Sequence, residues 1–404
     1  ISQLTGKPFV SGECGNNSYC MSETHQGLHY RVMLYSSLIN GAKGIFPWCF
    51  HTYDLSLPKL KKAYNSAPSE AEFGLVRPDH TDKPAAIEYR KFAQMVEKLD
   101  LSQYQLRPPE VAILVPQQYY DYLNEHRASL FNSFVLAKEA HFNVEFTRTG
   151  QDWNKYKLLI SPTNHLLISE MEQIEDFVHS GGNLYISITN GLGGWATYLK
   201  GVLGAEVEDF IVAPQKLVLQ FQERFGGISE GRKMTYRSDT WGYFQSHHKP
   251  ENERQYFTFL KPISARVLAT DQFGHPALLL NEVGNSKVLI CCFAIEYFLS
   301  NMPRVYRTDR TYRIYQALGK LCELEFPVRC NHPFVELGAF ESQEDFLLFV
   351  INHERFALQT RLLFKRIPNY VSDFLKGDSI TLGENGEIPL SLEENGVRIF
   401  QVKP

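Results

Sequence analysis

Lys7-Pro-Phe-Val-Ser-Gly-Glu-Cys-Gly15, KPFVSGECG, reads as a short buried strand, Phe9 to Ser11, running into a Gly-Glu-Cys-Gly turn. Glycine lets a backbone turn sharply and lets a ligand come close, so Gly12 and Gly15 leave room around Glu13. In parallel α/β architectures the C-terminal ends of strands carry the chemistry, and Glu13 stands at such an end. The competing reading is an ordinary turn glutamate. The next elements along the chain decide between the two.

A helix is predicted from an N-cap at Ser22 to Asn40, with Leu28, Val32, Tyr35 and Ile39 on its apolar face and Gly41 as the stop. GAKGIFPWCF, residues 41–50, is a second apolar strand with Trp48 near its C-terminal end. Two adjacent strand ends then offer a carboxylate and an aromatic platform on which a sugar ring can stack. A Pro-, Tyr- and charge-rich loop follows to about Asp82, then a helix, PAAIEYRKFAQMVEKL, with Pro84 in its first turn. Its predicted apolar face is Ala86, Tyr89, Phe92, Ala93 and Val96. The order is βαβα. Two such units cannot close a parallel sheet, and a (β/α)8 barrel takes about 250 residues. Residues 1–103 therefore fit only the last two units of a barrel. Loops above a barrel carry subsite contacts, which makes His51, Tyr53 and Asp54 candidates beside Trp48. Asn16, Asn17 and Tyr19, just after Glu13, are candidates for the same reason.

Residues 104–324 alternate strands with helices: VAILVP, SLFNSFVLAKEAHF, NVEFTR, KLLISPT, SEMEQIEDFVHSGG and NLYISIT. That alternation predicts an open, mostly parallel α/β sheet. The pattern turns more β-like from about Leu217, with KVLICCFAI as a late strand and RTYRIYQALGKLCEL as a closing helix. Residues 325–404 carry short alternating strands, which predicts a small antiparallel β-sandwich.

The composition is that of a globular chain, 44% hydrophobic and 21% charged, with net charge −4. No basic stripe offers itself to phosphates, so nucleic acid is excluded as a partner. No apolar run is long enough to span a membrane. The seven cysteines have no metal-type spacing and no readable disulfide framework, which points to a reducing, cytoplasmic compartment.

These stretches together resemble a known group. KPFVSGECG, the helix after it, GAKGIFPWCF and FGLVRPDHTDKPAAIEYRKFA are similar to the last quarter of a clan A glycoside hydrolase barrel. His80 stands where that pattern commonly has glycine. In the clan, the glutamate of such a strand is the nucleophile of a retaining β-glycosidase, and the tryptophan of the next strand lines the glycone subsite. Glu13 matches the first position and Trp48 the second. YKLLISPTNHLLISEMEQIEDFVHSGGNLYIS resembles the amidotransferase-like middle domain of family 42 β-galactosidases, shared with three-domain family 5 β-mannosidases. Both groups end in a β-sandwich.

The resemblance implies a retaining β-glycosidase acting on β-linked hexosides, β-mannosides before β-galactosides, by double displacement and without a cofactor. It implies a homo-oligomer, a trimer in which the middle domain contacts its neighbours. The acid/base glutamate of the family lies on a strand that this sequence does not contain. The expectation is that residues 1–103 pack on an N-terminal barrel portion lying upstream of Ile1. The alternative is a non-catalytic sugar-binding or assembly protein that keeps a barrel remnant.

Three weaker motifs compete. His25 and His29 are one helical turn apart, but Gln26 stands where a zinc protease would need its glutamate. Gly191-Leu-Gly-Gly-Trp-Ala196 fits a dinucleotide fingerprint but comes late in the sheet, so a nucleotide-dependent oxidoreductase is the second rival. A glutaminase would need a cysteine on a strand-to-helix turn. No G-x-C-x-G turn occurs in the middle block, so that block is read as structural.

Overall fold

The computed structural model describes residues 2–100, 102–119, 123–189, 195–237, 255–300, 305–383 and 385–404. They form two compact units, one of residues 109–325, the other of residues 4–108 together with 326–404. The first and last regions read from the sequence thus share one unit.

That unit begins with β1 (Val10–Cys14), α1 (Glu23–Ile39), β2 (Gly44–Pro47), α2 (Pro58–Ala63) and α3 (Pro84–Lys98). β1 and β2 pair in parallel. The strand was expected to end at Ser11, but it continues to Cys14, so Glu13 lies inside it rather than in the turn. Ser22 caps α1, its side chain accepting the N–H of His25, which satisfies one of the orphan donors of a helix start. The buried face of α1 is broader than expected. Tyr30 and Leu34 are fully buried, whereas Leu28 and Val32 are only partly covered. The helix is packed from two sides. Tyr35, Leu38 and Ile39 meet Phe340, Leu347, Phe349 and Ile351 of the sandwich, while Leu34 meets Ile45 and Phe9 at the strand pair. α3 buries Ala85, Ala86 and Met95, and Ala93 is exposed, against expectation. The loop after β2 is ordered by α2, a 3-10 turn over Pro68–Glu72 and bridges from Val76 to His51 and Asp82.

The sandwich has a five-stranded sheet in the order Tyr370–Asp373, Val397–Lys403, Phe346–Asn352, Val335–Glu341, Gln105–Leu106. A three-stranded sheet, Val328–Cys330, Leu358–Phe364, Glu387–Leu392, faces it. Val335, Leu337, Leu348, Val350, Leu362, Leu390 and Phe400 form the core between them. Each fully buried aliphatic side chain there contributes about 1.5–3 kcal/mol.

The other unit is built on a nine-stranded sheet in the order Lys233–Arg237, Lys216–Phe221, Arg266–Thr270, Pro276–Val283, Ser286–Cys291, Asn183–Ser187, Leu158–Ser161, Val111–Leu114, Val144–Thr147. The expectation of a mostly parallel sheet needs correction. The pairings are parallel only from Ser286–Cys291 to Val144–Thr147; the remaining strands pair antiparallel. Between Leu203 and Ser286 no crossover helix occurs among the described residues, and the consecutive strands that pair with one another there do so antiparallel. Gly191 to Gly194 of the dinucleotide-like loop lie outside the described residues.

Candidate active site

The β1–β2 register is Val10 opposite Gly44 and Ser11 opposite Ile45, then slips so that Cys14 faces Pro47. Gly12 and Glu13 fall in that irregularity. A bulge leaves one residue unpaired and re-aims a side chain, which explains why two successive residues, Gly12 and Glu13, are both exposed. Among the described residues none donates a hydrogen bond to the Glu13 carboxylate.

The residue after Glu13 is held firmly. The Cys14 carbonyl accepts the N–H of Trp48 at 2.8 Å and the hydroxyl of Tyr30 at 3.4 Å. Its thiol donates to the Phe46 carbonyl at 3.0 Å, and burial pushes that thiol up. Tyr30 is fully buried, and its phenol is likewise raised by burial. Gly15 is required here. Its φ is 154°, and a Cβ would stand 2.3 Å from the Tyr30 hydroxyl and 2.9 Å from the Trp48 carbonyl oxygen. Gly12 is not required in the same way, since a Cβ there meets nothing within 4 Å.

Trp48 is 46% exposed, and its peptide bond to Cys49 is cis. Side chains alternate along a strand, so Phe46 and Trp48 share a face. Val10, opposite Gly44, joins them. That face is open while Ile45 is buried on the other. A carboxylate and an indole thus stand at one end of a parallel pair whose apolar face is uncovered.

The remaining candidates divide into those facing solvent and those holding loops. Tyr19 is exposed. Tyr53 stacks on Tyr64 with ring centroids 4.9 Å apart. The His51 ring meets the His80 ring, Nε2 to Nδ1 3.2 Å. His80 has φ 67°, the left-handed region where glycine is easiest and histidine is among the tolerated residues. Asp54 is a turn residue. Its carboxylate accepts the N–H of Ser56 at 2.9 Å, and hydrogen bonds from Ser56 hold it below the usual carboxylate range. Asn16 and Asn17 shape the segment after Glu13. The Asn16 side chain accepts the Asn17 N–H and the Asn17 side chain accepts the Cys20 N–H, each at 2.9 Å. The Asn16 carbonyl accepts Gln26 Nε2 at 2.6 Å.

Two features escaped the sequence reading. Lys83 is 1% exposed, and its Nζ donates to Ser18 Oγ at 2.9 Å and to the Glu72 carboxylate at 3.3 Å. This pair ties the loop after β2 to the segment after Glu13. Nothing local marks it, because its members are far apart in sequence. Phe46 is the second, and the signal that could have found it is the alternation in GIFPW, which places it on the face of Trp48.

Of the weaker motifs, His25 contacts Ser22 Oγ at 2.9 Å and Glu394 at 3.7 Å, and burial lowers His29. Cys291 and Cys292 are fully buried, and burial raises both thiols far from the thiolate form. No group of metal-ligating side chains is assembled among the described residues, and none of their helices is long and apolar enough to cross a membrane.

Residues 116–301 match the family model described as the β-galactosidase trimerisation domain. A β-galactosidase of Geobacillus kaustophilus is 26% identical over 217 residues, 46% of this chain and 29% of the relative. Among solved structures, the β-galactosidase of Bacillus circulans sp. alkalophilus superposes with TM-score 0.69 at 16% identity, covering 98% of this chain and 55% of that one. An exo-β-1,4-mannosidase of Opitutaceae bacterium strain TAV5 superposes with TM-score 0.57 at 21% identity, covering 76% of this chain and 51% of that one. The chain thus spans about half the length of these solved structures and less than a third of the curated relative. In the order and fold of its parts it is similar to the C-terminal part of the clan A glycoside hydrolases, as found in family 42 β-galactosidases and family 5 β-mannosidases, with a match to their trimerisation domain at its centre.

Proposed function

We propose that this chain is the C-terminal part of a cytoplasmic retaining β-glycosidase, with residues 1–103 the last two units of its barrel. The substrates are β-linked hexosides. β-Galactosides come first, because the family model and the curated relative both carry that name; β-mannosides, placed first on sequence, come second. Glu13 attacks the anomeric carbon as the glycosidic C–O bond breaks and the acid/base carboxyl protonates the leaving oxygen. The glycosyl-enzyme is then displaced by water, which gives its proton to that same carboxylate, releasing the sugar and freeing Glu13. Trp48 supports the glycone ring. The acid/base carboxyl, roughly 5–5.5 Å from the nucleophile in such enzymes, belongs to a barrel portion outside this chain. That portion packs on the open face of Val10, Phe46 and Trp48 and supplies hydrogen-bond donors to the Glu13 carboxylate. The middle domain joins the chains of a homo-oligomer, a trimer.

The observation that supports this reading is the 2.8 Å backbone hydrogen bond from Trp48 to Cys14, which joins the two strand ends that bear the carboxylate and the indole. The test uses the native polypeptide. A 2-deoxy-2-fluoro-β-galactosyl fluoride should label the peptide that contains Glu13, and Glu13→Gln should abolish both labelling and hydrolysis of aryl β-galactosides. A label on another carboxylate, or full turnover by the variant, overturns it. The exposed, undonated Glu13 favours one second reading, a sugar-binding protein without turnover. In that case Glu13→Gln alters only ligand affinity.

A further inference from the structure

A cavity of about 470 Å3 lies among α1, α3 and the turns of the sandwich, within one compact unit, and no residue of β1 or β2 lines it. Its lining holds five cations, Arg31, Lys91, Lys98, Lys376 and Arg398, against two carboxylates, Glu88 and Glu393. The pairing within it is uneven. Glu88 accepts from Arg31 Nε and Nη2 at 2.7 and 2.8 Å and from Lys91 at 2.9 Å. Arg398 is held from behind by Asp373, with Nε at 2.9 Å and Nη2 at 2.7 Å, and lies 5.1 Å over the Phe400 ring. Even with Asp373 counted, the balance is positive.

Both guanidiniums spend the Nε and Nη2 edge on a carboxylate, and Nη1 has no acceptor among the described residues. A fork already locked on one side presents its other donors at little further entropic cost. Lys98 and Lys376 have no carboxylate partner among the described residues. The cavity wall also carries an apolar strip of Leu375, which is 43% exposed, and the half-buried Val397. Its size is that of a small-molecule site.

We propose that this cleft binds a small molecule bearing an oxyanion, phosphate or carboxylate, on a ring with an apolar face, of the size of a sugar phosphate. The free lysines and the locked guanidiniums take the oxyanion. The apolar strip takes the C–H face of the ring, and Glu393 accepts from its hydroxyls. This inference stands independently of any role for Glu13.

The test is calorimetric titration of the full chain with glucose 6-phosphate, glucose and inorganic phosphate. Glucose 6-phosphate should bind more tightly than either half-molecule, and its affinity should fall as salt is raised. Lys98→Ala combined with Lys376→Ala should weaken it about tenfold. Lys59→Ala combined with Lys62→Ala, on α2 outside the cleft, should leave it unchanged. Absence of binding at low salt overturns the site. Equal loss in both double variants overturns it too, as diffuse attraction to a basic surface. Inorganic phosphate binding as tightly as the sugar phosphate overturns the ring-recognising strip.

Discussion

Trp48 and Cys14 share a hydrogen bond, the Trp48 N–H donating to the Cys14 carbonyl at 2.8 Å. The relation matters because Cys14 follows Glu13 and is also held by the Tyr30 hydroxyl and the Phe46 carbonyl. A bulge that re-aims a side chain is useful only if its far end is fixed. Here the fixing groups come from α1 and β2, so the direction of Glu13 depends on the packing of a whole βαβ unit.

Gly15 is where that packing is tightest. Gly15→Ala places a Cβ against the Tyr30 hydroxyl and the Trp48 carbonyl at a backbone angle that side chains avoid. The expected loss is about 1–3 kcal/mol, as for overpacking in general. Gly12→Ala, with open space around it, should change stability by less than about 0.5 kcal/mol. Denaturant midpoints of the two variants check this, and equal effects would refute the packing argument.

Lys83 and Glu72 give a second prediction. Lys83→Met leaves the Glu72 carboxylate and Ser18 without their cation, in a site where Lys83 is 1% exposed. Removing one partner of a fully buried pair costs about 3–5 kcal/mol. Glu72 is 30% exposed, so water recovers part of that, and about 1–3 kcal/mol is expected. Hydrogen exchange should quicken at Ser18, whose N–H donates to the Glu72 carbonyl, and at Tyr53, bonded to Ala71. Unchanged exchange at both would separate the pair from the loop.

The sequence made local features legible and packing partners illegible, and particular residues show why. Ser22 as N-cap, Pro84 at a helix start and the strand that ends near Trp48 are properties of a few adjacent residues, and each stands where it was read. The face of α1 was misjudged because a helical period gives the direction of one apolar stripe, while this helix is covered by β1 and β2 on one side and by the sandwich on the other. Tyr30 and Leu34 face the partner that periodicity could not reveal. Glu13 and Trp48 are candidates on their residue types and turn context alone, and what the structure adds is that the two strand ends carrying them are joined. The roles of Asp54, Asn16 and Asn17 in shaping turns were not apparent, because a side chain that accepts a nearby N–H reads in sequence like one that awaits a ligand.

Glu336 links α1 to the sandwich. It is 5% exposed and accepts from Ser36 Oγ at 2.8 Å, Asn40 Nδ2 at 2.9 Å and His353 Nε2 at 2.8 Å. Glu336→Leu should cost about 2–4 kcal/mol, since it strands several donors at once, whereas Glu336→Gln, which keeps an acceptor, should cost less. Thermal melts of the pair check the order. A milder effect for leucine would refute it.

Glu139 supplies a pH dependence. It is 6% exposed, and burial, reinforced by the charge of Asp309 and opposed by Arg310, pushes its carboxyl up to about 8 from an ordinary 4.5. In the window between those values the folded chain keeps a proton that the unfolded chain has released. The unfolded state then binds fewer protons, so stability falls as pH rises from about 4.5 to about 8 and levels off above. Burial raises Asp309 as well, which adds a contribution of the same sign. Glu139→Gln removes the Glu139 contribution. The variant should be more stable than the parent at pH above 8, by an amount on the order of a few kcal/mol at most, and the gain should shrink to nothing as pH falls to the ordinary glutamate range. Melting curves of both proteins across that range decide it. A gain independent of pH would mean that packing, not the buried charge, separates them.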